Sequence, residues 1–132
     1  MENRTADAVV KHLNTLGIAQ LAEWDVLAFI HHHGTSLASA EKIAALVGYT
    51  RIVVGSALES LTAKGLVQRS RHSHSVRFYQ SAEMPPGDPL RIALEGLVKI
   101  ADDRRGRLLM VTHLRQAALD RGLRERGGLH FA

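Results

Sequence analysis

Apolar residues recur at helical spacing along most of the chain, and the most ordered part of that pattern runs from Ser39 to Gln80. Ser39 is an N-cap residue type, Glu41 falls in the positive first turn, and Ile43, Ala44, Leu46 and Val47 form an apolar face. Gly48 can take the left-handed conformation that ends a helix, and Thr50 can cap the next one. Val54, Ala57, Leu58 and Leu61 then follow at i, i+3, i+4 and i+7, the spacing of one inward helix face. Lys64-Gly65 closes that helix with a cation near its negative end and a glycine beyond it. Two short β-prone stretches come next, Leu66–Arg69 and Val76–Gln80, the second alternating apolar with polar. Between them, Ser70-Arg71-His72-Ser73-His74-Ser75 is polar and too long for a two-residue turn.

The flanks are helical. Thr5 to about Thr15 carries Ala6, Val9, Val10 and Leu13 on one side, with Gly17 after it. Glu23 to His33 carries Val26, Leu27, Phe29 and Ile30, stops at Gly34, and offers Trp24 as a packing anchor. Met84-Pro85-Pro86-Gly87 reads as a linker, after which Asp88 caps a helix with Pro89 at its first position. Leu90, Ala93, Leu94, Leu97, Val98 and Ala101 make a broad stripe along it. The charged run Asp102-Asp103-Arg104-Arg105-Gly106-Arg107 is either a turn between helices or a solvated bend in one. Leu108, Leu109, Val111, Thr112, Leu114, Ala118 and Leu119 resume the pattern as far as Gly122, and the tail from Arg124 with Gly127-Gly128 is expected to fray.

The order of elements defines a mainly α fold with a small β-wing, a winged helix-turn-helix with helices on either side. Length fits one domain over 1–132, with a winged core at 22–82 and helices at 1–21 and 88–122 for dimerisation. So apolar a C-terminal segment needs a second surface to cover it, and a partner copy suits it better than packing on the N-terminal helices. Charge is unevenly placed. Residues 1–50 hold three Lys/Arg against five Asp/Glu, residues 51–80 five against one, and residues 81–132 nine against seven. The basic excess thus falls on the helix and wing that would meet a nucleic acid, as phosphate neutralisation requires. There is no cysteine, so disulfides and thiolate chemistry are excluded. The polar start lacks a signal-peptide core and no apolar run approaches the ~20 residues of a membrane span, so a cytoplasmic protein is expected.

Residues 22–80 resemble the winged-helix domain of MarR-type bacterial transcriptional regulators, with the ArsR type as a close relative. The resemblance rests on Glu23-Trp24-Asp25-Val26-Leu27, on Ile43-Ala44-Ala45-Leu46-Val47-Gly48, and above all on Leu58-Glu59-Ser60-Leu61-Thr62-Ala63-Lys64-Gly65-Leu66-Val67. It implies a homodimer that binds a pseudo-palindromic operator in double-stranded DNA and is often released by a small-molecule or metal effector. Two features depart from the family pattern. The wing has arginines but lacks the Asp-x-Arg aspartate that usually orients one of them. The reading helix opens on Arg51-Ile52-Val53, then Gly55-Ser56, with fewer polar residues than usual. Arg51 can bind guanine O6 and N7, and the two aliphatics can touch thymine methyls.

The expected function is therefore sequence-specific DNA binding in transcriptional regulation, with residues 51–64 in the major groove. The wing at 69–77 would follow the backbone or minor groove. Arg51, Ser56 and Ser60 form the expected groove-facing polar set. Thr50, Lys64, Arg69, Arg71, His72, His74 and Arg77 are expected on phosphates or in the wing contact. The alternative is a winged-helix protein-interaction module using Ile52 and Val53 against a protein. The spacing of the eight histidines supports no specific metal site: three consecutive helical positions in His31-His32-His33 diverge by about 100° each, which leaves a site assembled across a dimer from His31, His33 or His113 with a carboxylate as the open alternative. There is no phosphate-binding glycine loop, nucleophile elbow or His-Glu-x-x-His helix, so neither catalysis nor a cofactor is expected.

Overall fold

In the computed structural model the chain runs α1 (Glu2–Leu16), α2 (Leu21–His33), β1 (Ala38–Ser39), α3 (Ala40–Val47) and α4 (Arg51–Ala63). It continues through β2 (Val67–Arg69), β3 (Phe78–Ser81), α5 (Pro89–Ala101) and α6 (Arg104–His130). The structure describes residues 2–33, 37–70 and 76–130, with side chains from 4 to 123 within those ranges. It is mainly helical with one three-stranded sheet, and it divides into two compact units: Met1–Leu21 with Ala93–Ala132, and Ala22–Ile92.

In the 22–92 unit, local signals and burial agree. Ser39 caps α3, its side chain accepting from the Lys42 amide at 3.2 Å, and Gly48 ends that helix at φ +83°. Thr50 caps α4 by accepting from the Val53 amide at 3.2 Å. Lys64 and Gly65 (φ +77°) then turn the chain so that the Leu66 amide returns to the Leu61 carbonyl at 3.0 Å. α3 and α4 meet at a bend of 114°, within the range of helix-turn-helix units. Val54, Ala57, Leu58 and Leu61 of α4 are buried, as are Ile43 of α3 and Trp24, Val26, Leu27 and Ile30 of α2.

The sheet holds one element the sequence does not announce. β2 and β3 form the expected antiparallel hairpin, with Gln68 opposite Gln80 and Arg69 opposite Tyr79. β1 pairs with the other edge of β3, Ala38 opposite Tyr79 and Ser39 opposite Phe78, giving the order β1-β3-β2. Two residues carry no periodicity, so a strand this short exists only through its partner.

In the other unit α1 buries Val9, Leu13 and Leu16, and α6 buries Met110 and Leu114. Asp88 caps α5 as expected, its carboxylate accepting from the Leu90 amide at 2.8 Å. The charged run is a turn: α5 stops at Ala101, and the Asp103 carbonyl accepts the first α6 bond from Arg107 at 2.9 Å. A Cβ on Gly106 would lie 2.0 Å from the Ile100 carbonyl oxygen, so only glycine lets the two helices turn this tightly. The backbone of α6 continues through Gly127-Gly128 to His130. Two glycines near a helix end cost only about 1 kcal/mol each relative to alanine, and propagation from a long preceding helix offsets part of that. Leu108, Leu119 and Leu123 are each more than half exposed and share one stripe of α6, at spacings of eleven and four residues. Among the described residues no single helix is long and apolar enough to cross a membrane.

Candidate nucleic-acid interface

Opposite the buried stripe of α4 lie Ile52, Ser56 and Glu59, at i, i+4 and i+7, all exposed. Arg51 flanks them at the first turn, and its guanidinium meets the Glu41 carboxylate at 3.1 Å with both side chains largely in solvent. An exposed pair of this kind contributes at most about 1 kcal/mol, so the arginine is readily released to another anion. Gly55 completes the outer surface. A Cβ built there meets nothing within 4 Å, so packing inside the protein does not require glycine at this position.

Besides the buried apolar face of α4, two acids on α2 bond α4, the residue just after it and the turn before it. Glu23 is only 5 % exposed and accepts from Ser60 Oγ at 2.7 Å and from Lys64 Nζ at 3.0 Å. Asp25 accepts from the Tyr49 hydroxyl at 2.7 Å, in the turn between α3 and α4. Ser60, expected in the groove-facing set, and Lys64, expected on a phosphate, therefore both bond to Glu23 of α2. Ser60 sits about 80° around the helix from Ile52, on the flank nearest α2, and the Lys64 side chain is 32 % exposed. Glu59, absent from the expected set, is the residue on the outward stripe, and its i+7 spacing from Ile52 was the available signal. The positioning roles of Glu23 and Asp25 had no comparable signal, because their partners lie 24 to 41 residues away.

The wing brings Arg77 to the cleft that Arg51 lines. Arg69 and Arg77 are both exposed. Ser70 and Phe78 close the hairpin, the Ser70 amide donating to the Phe78 carbonyl at 2.8 Å. Arg77 and Arg51 line one open cleft of about 270 Å³ together with Glu41, Ser39 and Tyr79. Thr50 spends its hydroxyl on the α4 cap, and Ser56 stands exposed one turn beyond Ile52. Arg71, His72 and His74 lie outside the described residues. Of the other histidines, His33 ends α2 with its Nδ1–H donating to the Phe29 carbonyl at 2.8 Å while its ring stacks on Phe29 at 4.1 Å. Among the described residues no group of three or more His, Asp or Glu could hold a metal ion.

A helix-turn-helix with a 114° bend, continued by an antiparallel hairpin that carries arginines, is a winged helix-turn-helix. The sequence matches the model of the MarR family over residues 8–76. The chain belongs to the MarR family, whose fold and family mark a DNA-binding transcriptional regulator. Solved structures agree on the fold. The S. aureus MepR–DNA complex has a TM-score of 0.59 at 16% identity, covering 94% of this chain and 93% of that one. A mutant S. aureus MepR bound to an oligodeoxyribonucleotide gives 0.56 at 17% identity, covering 94% and 91%. Reduced HlyU from Vibrio cholerae gives 0.50 at 14% identity, covering 77% and 94%. Among curated proteins none matches the sequence significantly.

Proposed function

We propose that the chain acts as a homodimer on double-stranded operator DNA, with the first turns of α4 in the major groove and the β2–β3 wing on the adjacent backbone or minor groove. The observation that carries this reading is the exposed edge Arg51-Ile52-Ser56 on a helix fastened from behind, with a wing arginine across the same cleft. In this arrangement Arg51 reads a base edge and Ser56 supports it. Thr50, at the start of α4, together with Arg69 and Arg77, contacts phosphates. Ser60 and Lys64 act through Glu23, holding the angle of α4. Arg71, His72 and His74 extend the wing contact. The role is binding rather than catalysis, and its place is the cytoplasm, where the DNA is.

The second copy covers the α6 stripe of Leu108, Leu119 and Leu123, whose exposure in one protomer supports a partner helix there. An effector that releases the protein from DNA belongs to the same reading through the family. The test is fluorescence anisotropy on duplex DNA from the upstream region of its own coding sequence, beside a scrambled duplex, over a salt series. Tight, salt-steep binding with preference for the native duplex is the expected result. No binding to either duplex at low salt would instead favour a protein-interaction module working through Ile52 and Val53.

A further inference from the structure

Ile52 is 84 % exposed at the opening turn of α4, between the cationic Arg51 and the bare backbone of Gly55 one turn on. Nothing in the fold accounts for it. The inward face of the helix is already filled by Val54, Ala57, Leu58 and Leu61, and a side chain at position 55 that could shield Ile52 is missing. Leaving a large aliphatic bare beside a charged arginine stabilises nothing until a ligand arrives. The surroundings constrain what that ligand is. Residues 51–80 carry five Lys/Arg against one Asp/Glu, and Arg51 and Arg77 outnumber Glu41, the one carboxylate in the cleft they line, so a polyanion suits this surface. A polyanion that also offers an apolar group at a groove edge is duplex DNA, and the group is the C5-methyl of a pyrimidine in the major groove.

We infer that Ile52 reads the C5-methyl of a pyrimidine beside the guanine held by Arg51, so that the protein distinguishes 5-methylpyrimidines from their unmethylated forms. This rests on the DNA-binding reading above and narrows it. Arg51 binds guanine O6 and N7 as a bidentate donor. Ile52, the next residue, covers the methyl of the neighbouring thymine, and Gly55 leaves room for the base edge to approach. Thymine is then preferred to deoxyuridine, and 5-methylcytosine to cytosine, at the same step. Removing one buried methyl corresponds to about a fourfold loss of affinity, and one methyl in each half-site of a symmetric operator to roughly fifteenfold.

The full-length protein would first select duplexes from a random-sequence pool. The best duplex would then be synthesised with thymine or deoxyuridine at each position in turn, and binding measured by anisotropy. The expected result is one thymine per half-site, next to a guanine, where deoxyuridine weakens binding about fourfold. At that step 5-methylcytosine should bind tighter than cytosine by a similar factor. Ile52→Ala removes the contact from both half-sites, so it should lose roughly fifteenfold on the thymine duplex and should no longer separate thymine from deoxyuridine. Because Ile52 is exposed, that variant does not put folding at stake. Equal binding of thymine and deoxyuridine duplexes at every position would overturn the inference while leaving DNA binding intact. A pool that yields no bound duplex at low salt would remove both the inference and the DNA-binding reading.

Discussion

The start of α4 and the outer stripe of α6 both present aliphatic side chains to solvent, and they differ in what surrounds them. On α4 Ile52, with the less exposed Val53 beside it, lies among Arg51, Gly55 and Ser56, at the start of a helix and beside a cleft lined by Arg51 and Arg77. On α6 three leucines recur along fifteen residues of one helix, a span of roughly 22 Å at 1.5 Å per residue. Two adjacent aliphatics among polar groups suit a small apolar feature on a polar ligand. A long stripe suits another helix. Exposure alone would have scored the two surfaces alike; spacing and neighbouring charge separate them.

The sharpest way to break this contrast is to charge the α6 stripe. Leu119→Glu combined with Leu123→Glu should convert a dimer to a monomer in sedimentation equilibrium and lower affinity for a selected operator by at least about a hundredfold, since two half-sites are no longer joined. A wild-type protein that is already monomeric would remove the stripe from the interface. Arg51→Ala comes next. It should weaken binding to the selected duplex by about 1–3 kcal/mol, with a smaller loss on random duplex. An equal loss on both would mark Arg51 as a phosphate contact.

Two further changes act behind and upon α4. Glu23→Ala leaves Ser60 and Lys64 without their shared carboxylate and should lower unfolding stability by about 1–3 kcal/mol in denaturant titration, while Glu23→Gln should retain part of it. Unchanged stability would show that the buried acid does not fasten α4. Gly55→Ala should do the reverse, raising stability by up to about 1 kcal/mol, because its Cβ meets nothing in the protein. If the base edge approaches the Gly55 backbone, the same variant binds DNA several-fold more weakly. Full affinity with higher stability would leave glycine without a role there.

The reading helix and its neighbour were legible in the sequence because their signals are local. Ser39, Gly48, Thr50 and Gly65 each act within four residues of themselves, and Val54, Ala57, Leu58 and Leu61 announce their face by period alone. What was not legible is non-local. Glu23 reaches Ser60 and Lys64 across 37 and 41 residues, and β1 is a strand only because β3 lies beside it. The bonds of Ser60 and Lys64 to Glu23 belong with these, since they depend on a carboxylate on another helix. Glu59 is different: its place on the outward stripe could have been computed from Ile52 and Ser56.

Ser39 belongs to two elements at once, opposite Phe78 in the sheet and capping α3 with its hydroxyl. The reading head is for that reason not a cassette. A graft of residues 40–64 onto another scaffold would lose the seam that ties the start of α3 to the wing strand. A working transplant would have to carry Ala38, Ser39 and the β2–β3 hairpin with it.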